Sequence, residues 1–384
     1  MQPPSKRASR IATSLLFFCS GFVFASWGVH IPTIKDKFQL GEGALSLTML
    51  SMAFGAVIAM NHIGRLSSSL GSARTGAWSG VLLAIGVALI LVTPTLPALI
   101  ILLLLFGAVM AALDVAMNAQ AAIVETAYAR PVMSSMHGLF SIGGFAGAGL
   151  GALWLAAGGT PLTHLFAVGA ITAACSIAAR PALRADPQHE AHESGHAQRH
   201  ANRQLRQLGL LAFLGLVAEG AMYDWSTVYM RDYTLASIAW INAGYATFSI
   251  GMSAGRFTGD AIRERLGNVR TLHFSAGLCV LGIALSLLWA APVPAAIGFG
   301  LIGLGASNMM PVLFAAAANV QGMSASEAIA GMARIAYLGL LCGPVLIGAL
   351  AQFFGLPLAL IVIGLSAALV GLRARAALAG SQGS

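Results

Sequence analysis

Charge is what this chain holds least of. Asp, Glu, Lys and Arg make up 9% of its 384 residues, where soluble domains carry about 25%. That shortage excludes a water-soluble fold. The net charge of +8 does not point to nucleic acid either, because the basic residues sit at the ends of apolar stretches and in short loops. Cysteine is also scarce. Cys19, Cys175, Cys279 and Cys342 all lie inside apolar stretches and form no CxxC pair, so they are expected as small packing residues, not as metal or redox sites. There is no GxxxxGK[ST] phosphate loop, which argues against ATP-driven pumping by this chain. No HExxH or paired-cysteine metal motif occurs. The longest polar segment, 181–206, is too short for a soluble catalytic domain. An enzyme, a cofactor and a metal centre are therefore not expected.

What the chain does have is hydrophobic length. Apolar residues make up 58% of it, grouped in stretches of about twenty, the number that crosses a roughly 30 Å hydrocarbon core as one helix. An all-α membrane protein of twelve transmembrane helices is expected, with spans near 11–31, 44–64, 75–93, 97–120, 133–156, 161–180, 207–229, 238–259, 270–290, 294–318, 329–352 and 356–373. The first stretch follows Lys6, Arg7 and Arg10 and reads as a retained span, not a cleaved signal. Joints alternate between basic and nearly charge-free. Of 21 Lys and Arg, only Lys35, Lys37 and Arg231 fall on the poorer side. Cationic joints stay cytoplasmic, so both termini are expected there.

Residues 181–206 form the one long polar connection, separating expected six-helix halves at 1–180 and 207–384. It carries Pro181, Pro187, His189, His192, His196 and His200. A solvated cytoplasmic linker is the main reading; a loose metal site or a pH-sensitive patch is the other.

The chain also matches itself at a fixed offset (267 − 71 = 196). Gly71-Ser72-Ala73-Arg74 falls on Gly267-Asn268-Val269-Arg270, and Lys35-Asp36 on Arg231-Asp232. Gly55 falls on Gly251, Leu105 and Gly107 on Leu301 and Gly303, and Gly143 and Gly147 on Gly339 and Gly343. Two halves in the same orientation imply a pseudo-twofold axis along the membrane normal. A transporter of that design keeps its site between the halves, near the midplane.

This layout resembles the major facilitator superfamily over nearly the whole chain. That family carries a Gly-x-Leu-x-Asp-Arg-x-Gly-like loop after its second span. Gly64-Arg65-Leu66-Ser67-Ser68-Ser69-Leu70-Gly71 occupies the place here, with Ser68 where the acid usually stands. The second copy, Ile262-Arg263-Glu264-Arg265-Leu266-Gly267, keeps an acid–base pair. Leu113-Asp114-Val115-Ala116-Met117-Asn118 is similar to the acidic fourth-span motif of fucose–proton symporters. Ala25-Ser26-Trp27, Ile31-Pro32, Ala218-Glu219-Gly220 and the run Met133 to Phe140 resemble the YbjJ-like branch of bacterial permeases. The resemblance implies two pseudo-symmetric six-helix bundles, alternating access and a bacterial inner-membrane location. It also implies that Asp114 takes part in proton coupling and that Asn118 lines the cavity. Fucose symporters use a first-span acid as well; this chain has none there, with His30 the nearby titratable group.

Of the thirteen Asp and Glu, only Asp114, Glu219 and Asp224 lie within expected spans. Each costs roughly 2.5–3.5 kcal/mol at the bilayer centre even on insertion scales. Arg256 is counted with the cytoplasmic joints, so no intramembrane Lys or Arg is expected to pair with them. A carboxylate that changes protonation as a cavity opens to either side is a workable proton carrier; the other reading of Asp114 is a hydrogen-bonded packing acid. Asn118 is one helical turn on from it. Glu219 and Tyr223 share a face, and a carboxylate beside an aromatic ring suits a sugar-like solute. Asp224 either joins that site or is solvated and pairs with Arg231. His137 is either a proton relay or a neutral histidine bonded to backbone. Trp27 and His30 are cavity lining or an interfacial anchor. Asn242, Asn308 and Tyr337 are cavity candidates that equally serve as interhelical contacts.

The leading expectation is a monomeric secondary transporter moving a small polar, sugar-like solute by proton symport, with Asp114, Glu219 and His137 in coupling. Its partners are the solute, protons and lipid. The alternative is a proton-coupled exporter of amphipathic compounds, for which Met49, Met52, Met110 and Met117 speak. The polar midplane residues speak against it, as does Ala152 where the antiporter signature has proline. A receptor or scaffold, or a channel, is a further class; short loops and the twofold repeat suit a carrier better.

Overall fold

The computed structural model describes residues 4–187, 195–234, 238–241 and 243–379. The described residues are helical almost throughout. In order the helices are α1 (Lys6–Val29), α2 (Ile31–Lys37), α3 (Glu42–Leu70), α4 (Ser72–Leu89), α5 (Leu96–Tyr128), α6 (Met133–Ala156) and α7 (Pro161–Ala179). They continue with α8 (Gly195–Tyr233), α9 (Ile238–Ile241), α10 (Ala243–Leu288), α11 (Pro292–Ala306), α12 (Met309–Ala318), α13 (Ala325–Phe354) and α14 (Leu356–Leu378).

Among the described residues, eleven helical segments are long and apolar enough to cross a membrane, with α11 and α12 forming one, Pro292–Ala318. The 46 residues of α10 would reach about 69 Å at 1.5 Å per residue, more than twice a hydrocarbon core. Gly267 divides it, with φ 75° and ψ 165° inside the helical run. Its repeat partner Gly71 has φ 87° and separates α3 from α4. Positive φ is open to glycine at no steric cost, so the same residue makes the same tight joint in both halves. The spans are then twelve.

Caps mark the remaining starts. The Thr95 hydroxyl accepts from the Ala98 amide ahead of α5, and the Thr160 hydroxyl from the Thr163 amide ahead of α7. Each is followed by a proline in the first turn, where a missing N–H costs nothing. Ser324 and Glu327 form a reciprocal capping box before α13, at 3.2 Å and 3.1 Å.

The chain divides into two compact units. One comprises Met1–Ala129, Leu139–Gln188 and Ser324–Ala330; the other comprises Arg130–Gly138, His189–Met323 and Gly331–Ser384. In the first, α3 and α5 approach at backbone contact: a Cβ on Gly55 would strike the Leu104 backbone, and one on Gly107 the Met52 backbone. In the second, α10 and α11 do the same. Gly251 lies against the Gly300 carbonyl and the Leu304 amide, and Gly303 against the Phe248 carbonyl and the Met252 amide. All four contacts are related by the 196-residue offset. Gly143 and Gly147 of α6 likewise lie on the α1 backbone at Phe18 and Phe22, as Gly339 and Gly343 of α13 lie on the α8 backbone at Phe213 and Val217. Without a hydrophobic driving force between helices in lipid, such close packing is a main source of association.

Part of the expected linker is ordered structure. Residues from Gly195 onward already belong to α8. The stretch before residue 188 is pinned to the first unit. Buried Gln120 donates to the Arg184 carbonyl and accepts from the Arg184 amide, at 2.7 Å and 2.9 Å. Asp186 accepts from the Ser72 amide and hydroxyl, capping α4. A buried amide must satisfy both its ends, and Gln120 does so on this chain segment. His189 and His192 lie outside the described residues, as do the side chains of His196 and His200.

Replacing Gly303 or Gly107 with alanine is expected to lower the thermal midpoint in detergent, with overpacking costing roughly 1–3 kcal/mol. Gly149→Ala, where nothing stands within 4 Å of the added carbon, is the control and should hold or raise the midpoint. Equal effects at all three positions would contradict the backbone-contact reading.

Candidate functional site

Polar side chains gather inside the spans of each unit. In the first unit Asp114 lies near the middle of the Leu96–Tyr128 span. The Asn118 amide donates to the Asp114 carbonyl at 2.9 Å and to its carboxylate at 3.2 Å. Asn118 is fully buried and Asp114 partly so. Helical spacing places them one turn apart on one face, and the amide is a neutral donor that tolerates either protonation state of the acid.

In the second unit Glu219 lies near the middle of the Arg203–Tyr233 span. The Tyr223 hydroxyl donates to its Oε1 at 3.3 Å. The Arg256 guanidinium reaches the same oxygen through Nη2 at 3.4 Å, and both charged side chains are 12% exposed. This corrects the expectation that no cation stands inside the membrane to meet the acids. The first span of α10 does not end near residue 259 but continues to Leu266, so Arg256 sits about 16 Å of helix before the Gly267 break. Tyr223 packs against Tyr245 at 5.9 Å and edge-on against Phe248 at 5.3 Å. His137 stacks on Phe314 at 5.8 Å, within the electrostatic reach of Arg256 and Arg263.

The same unit holds the first turn of α6. The Asp260 carboxylate accepts from the Ser134 and Ser135 amides at 2.8 Å and 2.9 Å, compensating the positive end of that helix. Asp260 is the repeat partner of Gly64.

A family model described as Major Facilitator Superfamily matches residues 13–337. The chain belongs to the Major Facilitator Superfamily. An uncharacterized MFS-type transporter of Yersinia pestis is 36% identical over 371 residues, spanning 96% of both chains. A glucose/galactose transporter of Brucella abortus is 25% identical over 373 residues, 91% of this chain and 89% of that one. The crystal structure of the MFS transporter FucP in the outward conformation matches with a TM-score of 0.82 at 16% identity, covering 96% of this chain and 98% of that one. This superfamily member is therefore a multi-pass membrane transporter of small-molecule substrates and not an enzyme.

The other expected site residues fall in varied places on this superfamily fold. Asn308 is buried and donates to the Gly255 carbonyl and the Ser307 hydroxyl, each at 3.1 Å, which ties α12 to α10. Asp224 is exposed and Tyr337 partly buried. Asn242 lies outside the described residues. Trp27 is 3% exposed. His30 is fully buried, with its Nε2 2.8 Å from Nδ1 of His164. The other nitrogen of each ring is buried with no hydrogen-bond partner.

Sequence reasoning missed Arg256, Tyr245, Asp260 and His164. Asp260 had a signal in the repeat, since it falls on the first glycine of the loop motif. His164 had none, because its partner lies far off in sequence.

The two rings share one hydrogen bond between the end of α1 and α7, both buried. His30→Ala should therefore lower the thermal midpoint in detergent, as loss of a buried hydrogen bond and its packing costs roughly 1–3 kcal/mol. An unchanged midpoint would contradict a structural contact between the rings.

Proposed function

We propose that this protein carries a small, sugar-like solute across the bacterial inner membrane by proton symport, with both termini cytoplasmic and the halves 1–180 and 207–384 alternating access as a monomer. The observation that carries this reading is Glu219, a carboxylate at midspan that is mostly buried yet reachable, beside a tyrosine and a cation. Its carboxylate is met by both a phenol hydroxyl and a guanidinium inside the span. Asp114 with Asn118 offers a second such group in the other unit.

Asp114, Glu219 and His137 are assigned to proton transfer. Asn118, Trp27, His30, Tyr223, Asp224, Asn242, Asn308 and Tyr337 are assigned to the solute. The Brucella relative's name supports a sugar-like cargo, and the aromatic wall of Tyr223, Tyr245 and Phe248 suits the apolar face of a sugar ring.

Proteoliposomes carrying the wild type, with an inward proton gradient, should accumulate at least one solute from a panel of neutral hexoses and sugar acids. Asp114→Asn should equilibrate that solute without concentrating it. A gradient that drives no accumulation, or a variant that concentrates solute normally, would overturn the reading.

A further inference from the structure

Arg256 keeps its charge at every accessible pH, because a guanidinium does not deprotonate in proteins. Glu219 can lose its charge by taking up a proton. The two are therefore unequal partners inside the membrane. When Glu219 is protonated, Arg256 loses one compensating charge in a mostly desolvated place, and that loss is unfavourable for a buried cation.

Their contact is also of the exchangeable kind. It joins one guanidinium nitrogen to one carboxylate oxygen at 3.4 Å, whereas charge-assisted bonds run about 2.7–2.9 Å and arginine prefers a bidentate grip on a carboxylate. The cluster is lined on one side by Tyr223, Tyr245 and Phe248.

We propose that Arg256 binds the carboxylate of the transported solute, which takes the place of Glu219 as that residue is protonated, so that the cargo is a hydroxylated monocarboxylate such as a sugar acid. The inference rests on the proton-symport reading and narrows its substrate class. The balance is simple: one proton goes to Glu219, one carboxylate comes to Arg256, and the exchange leaves the net charge of the site unchanged.

Other charged and titratable groups stand on the helices of the same unit as Glu219. On its own helix α8 stand Tyr223 and, nearer the outer end, Asp224. Before its Gly267 break helix α10 carries Tyr245, Asp260, Arg263, Glu264 and Arg265, and α6 carries His137. Helix α13, packed on α8 through Gly339 and Gly343, carries Arg334 and Tyr337. Helices α11 and α12 carry no titratable side chain, and α14 carries Arg373 and Arg375 towards its end.

The test is ligand-induced thermal stabilisation of the purified full chain at pH 5.5 and 7.5. The probes are glucuronate, galacturonate and gluconate, their neutral counterparts glucose and galactose, and glucosamine. At least one acid should stabilise, more strongly at pH 5.5. Arg256→Gln should weaken that binding roughly tenfold or more, as for loss of a charge-assisted hydrogen bond. Arg256→Lys, which keeps the charge, should retain part of it. Glu219→Gln, fixed in the neutral form, should bind the acid more tightly and lose most of the pH dependence. Absence of stabilisation by every acid at both pH values overturns the proposal, as does stabilisation by acids that Arg256→Gln leaves unchanged. If acids fail while neutral hexoses are still concentrated by a proton gradient, only the substrate class falls. If acids bind as expected but no solute is ever concentrated, the symport reading falls and the anion site stands.

Discussion

A formal charge in hydrocarbon persists only beside a compensating one, and the second unit is arranged around that constraint. Glu219 and Arg256 meet near midspan at 3.4 Å, each 12% exposed. Removing either takes one compensating charge from the other where lipid and packed helices replace water. The pair is also asymmetric in chemistry, since one member titrates and the other does not. The proposed coupling of solute to protons uses that asymmetry.

The surrounding scaffold is a duplicated one, and its duplication is visible in physical contacts. Gly55 and Gly107 bring α3 onto α5 as Gly251 and Gly303 bring α10 onto α11. Gly71 and Gly267 make the same positive-φ joint. The copies diverge where charge enters. At Gly64 a Cβ would meet Ala330 and the Glu327 backbone at 3.0–3.1 Å, whereas its partner Asp260 places a carboxylate on the amides of Ser134 and Ser135. Helix α13 instead begins with its own Ser324 and Glu327 box. Duplicated packing thus carries unduplicated electrostatics.

The fold was legible because its cause is one-dimensional. Runs of apolar residues set by bilayer thickness, and joints carrying Lys and Arg, can be read off a sequence without knowing any contact. The Asp114–Asn118 bond was legible for the same reason, as one helical turn is local. Arg256 was misplaced because span boundaries shift by several residues, and α10 runs seven residues past the expected end. A cation near a boundary changes meaning entirely with such a shift. His164 and Asp260 act through partners 134 and 126 residues away, a separation that no local pattern records. Within the linker, polarity could not reveal that Gln120 and Ser72 hydrogen-bond residues 184–186.

The most direct measurement is a thermal double-mutant cycle on Glu219→Gln and Arg256→Met in detergent at neutral pH. If mutual compensation holds the pair in place, each single substitution lowers the midpoint and the double substitution costs less than the two added together. Effects that simply add would mean that the two side chains do not compensate each other, and the charge-exchange site would have no basis.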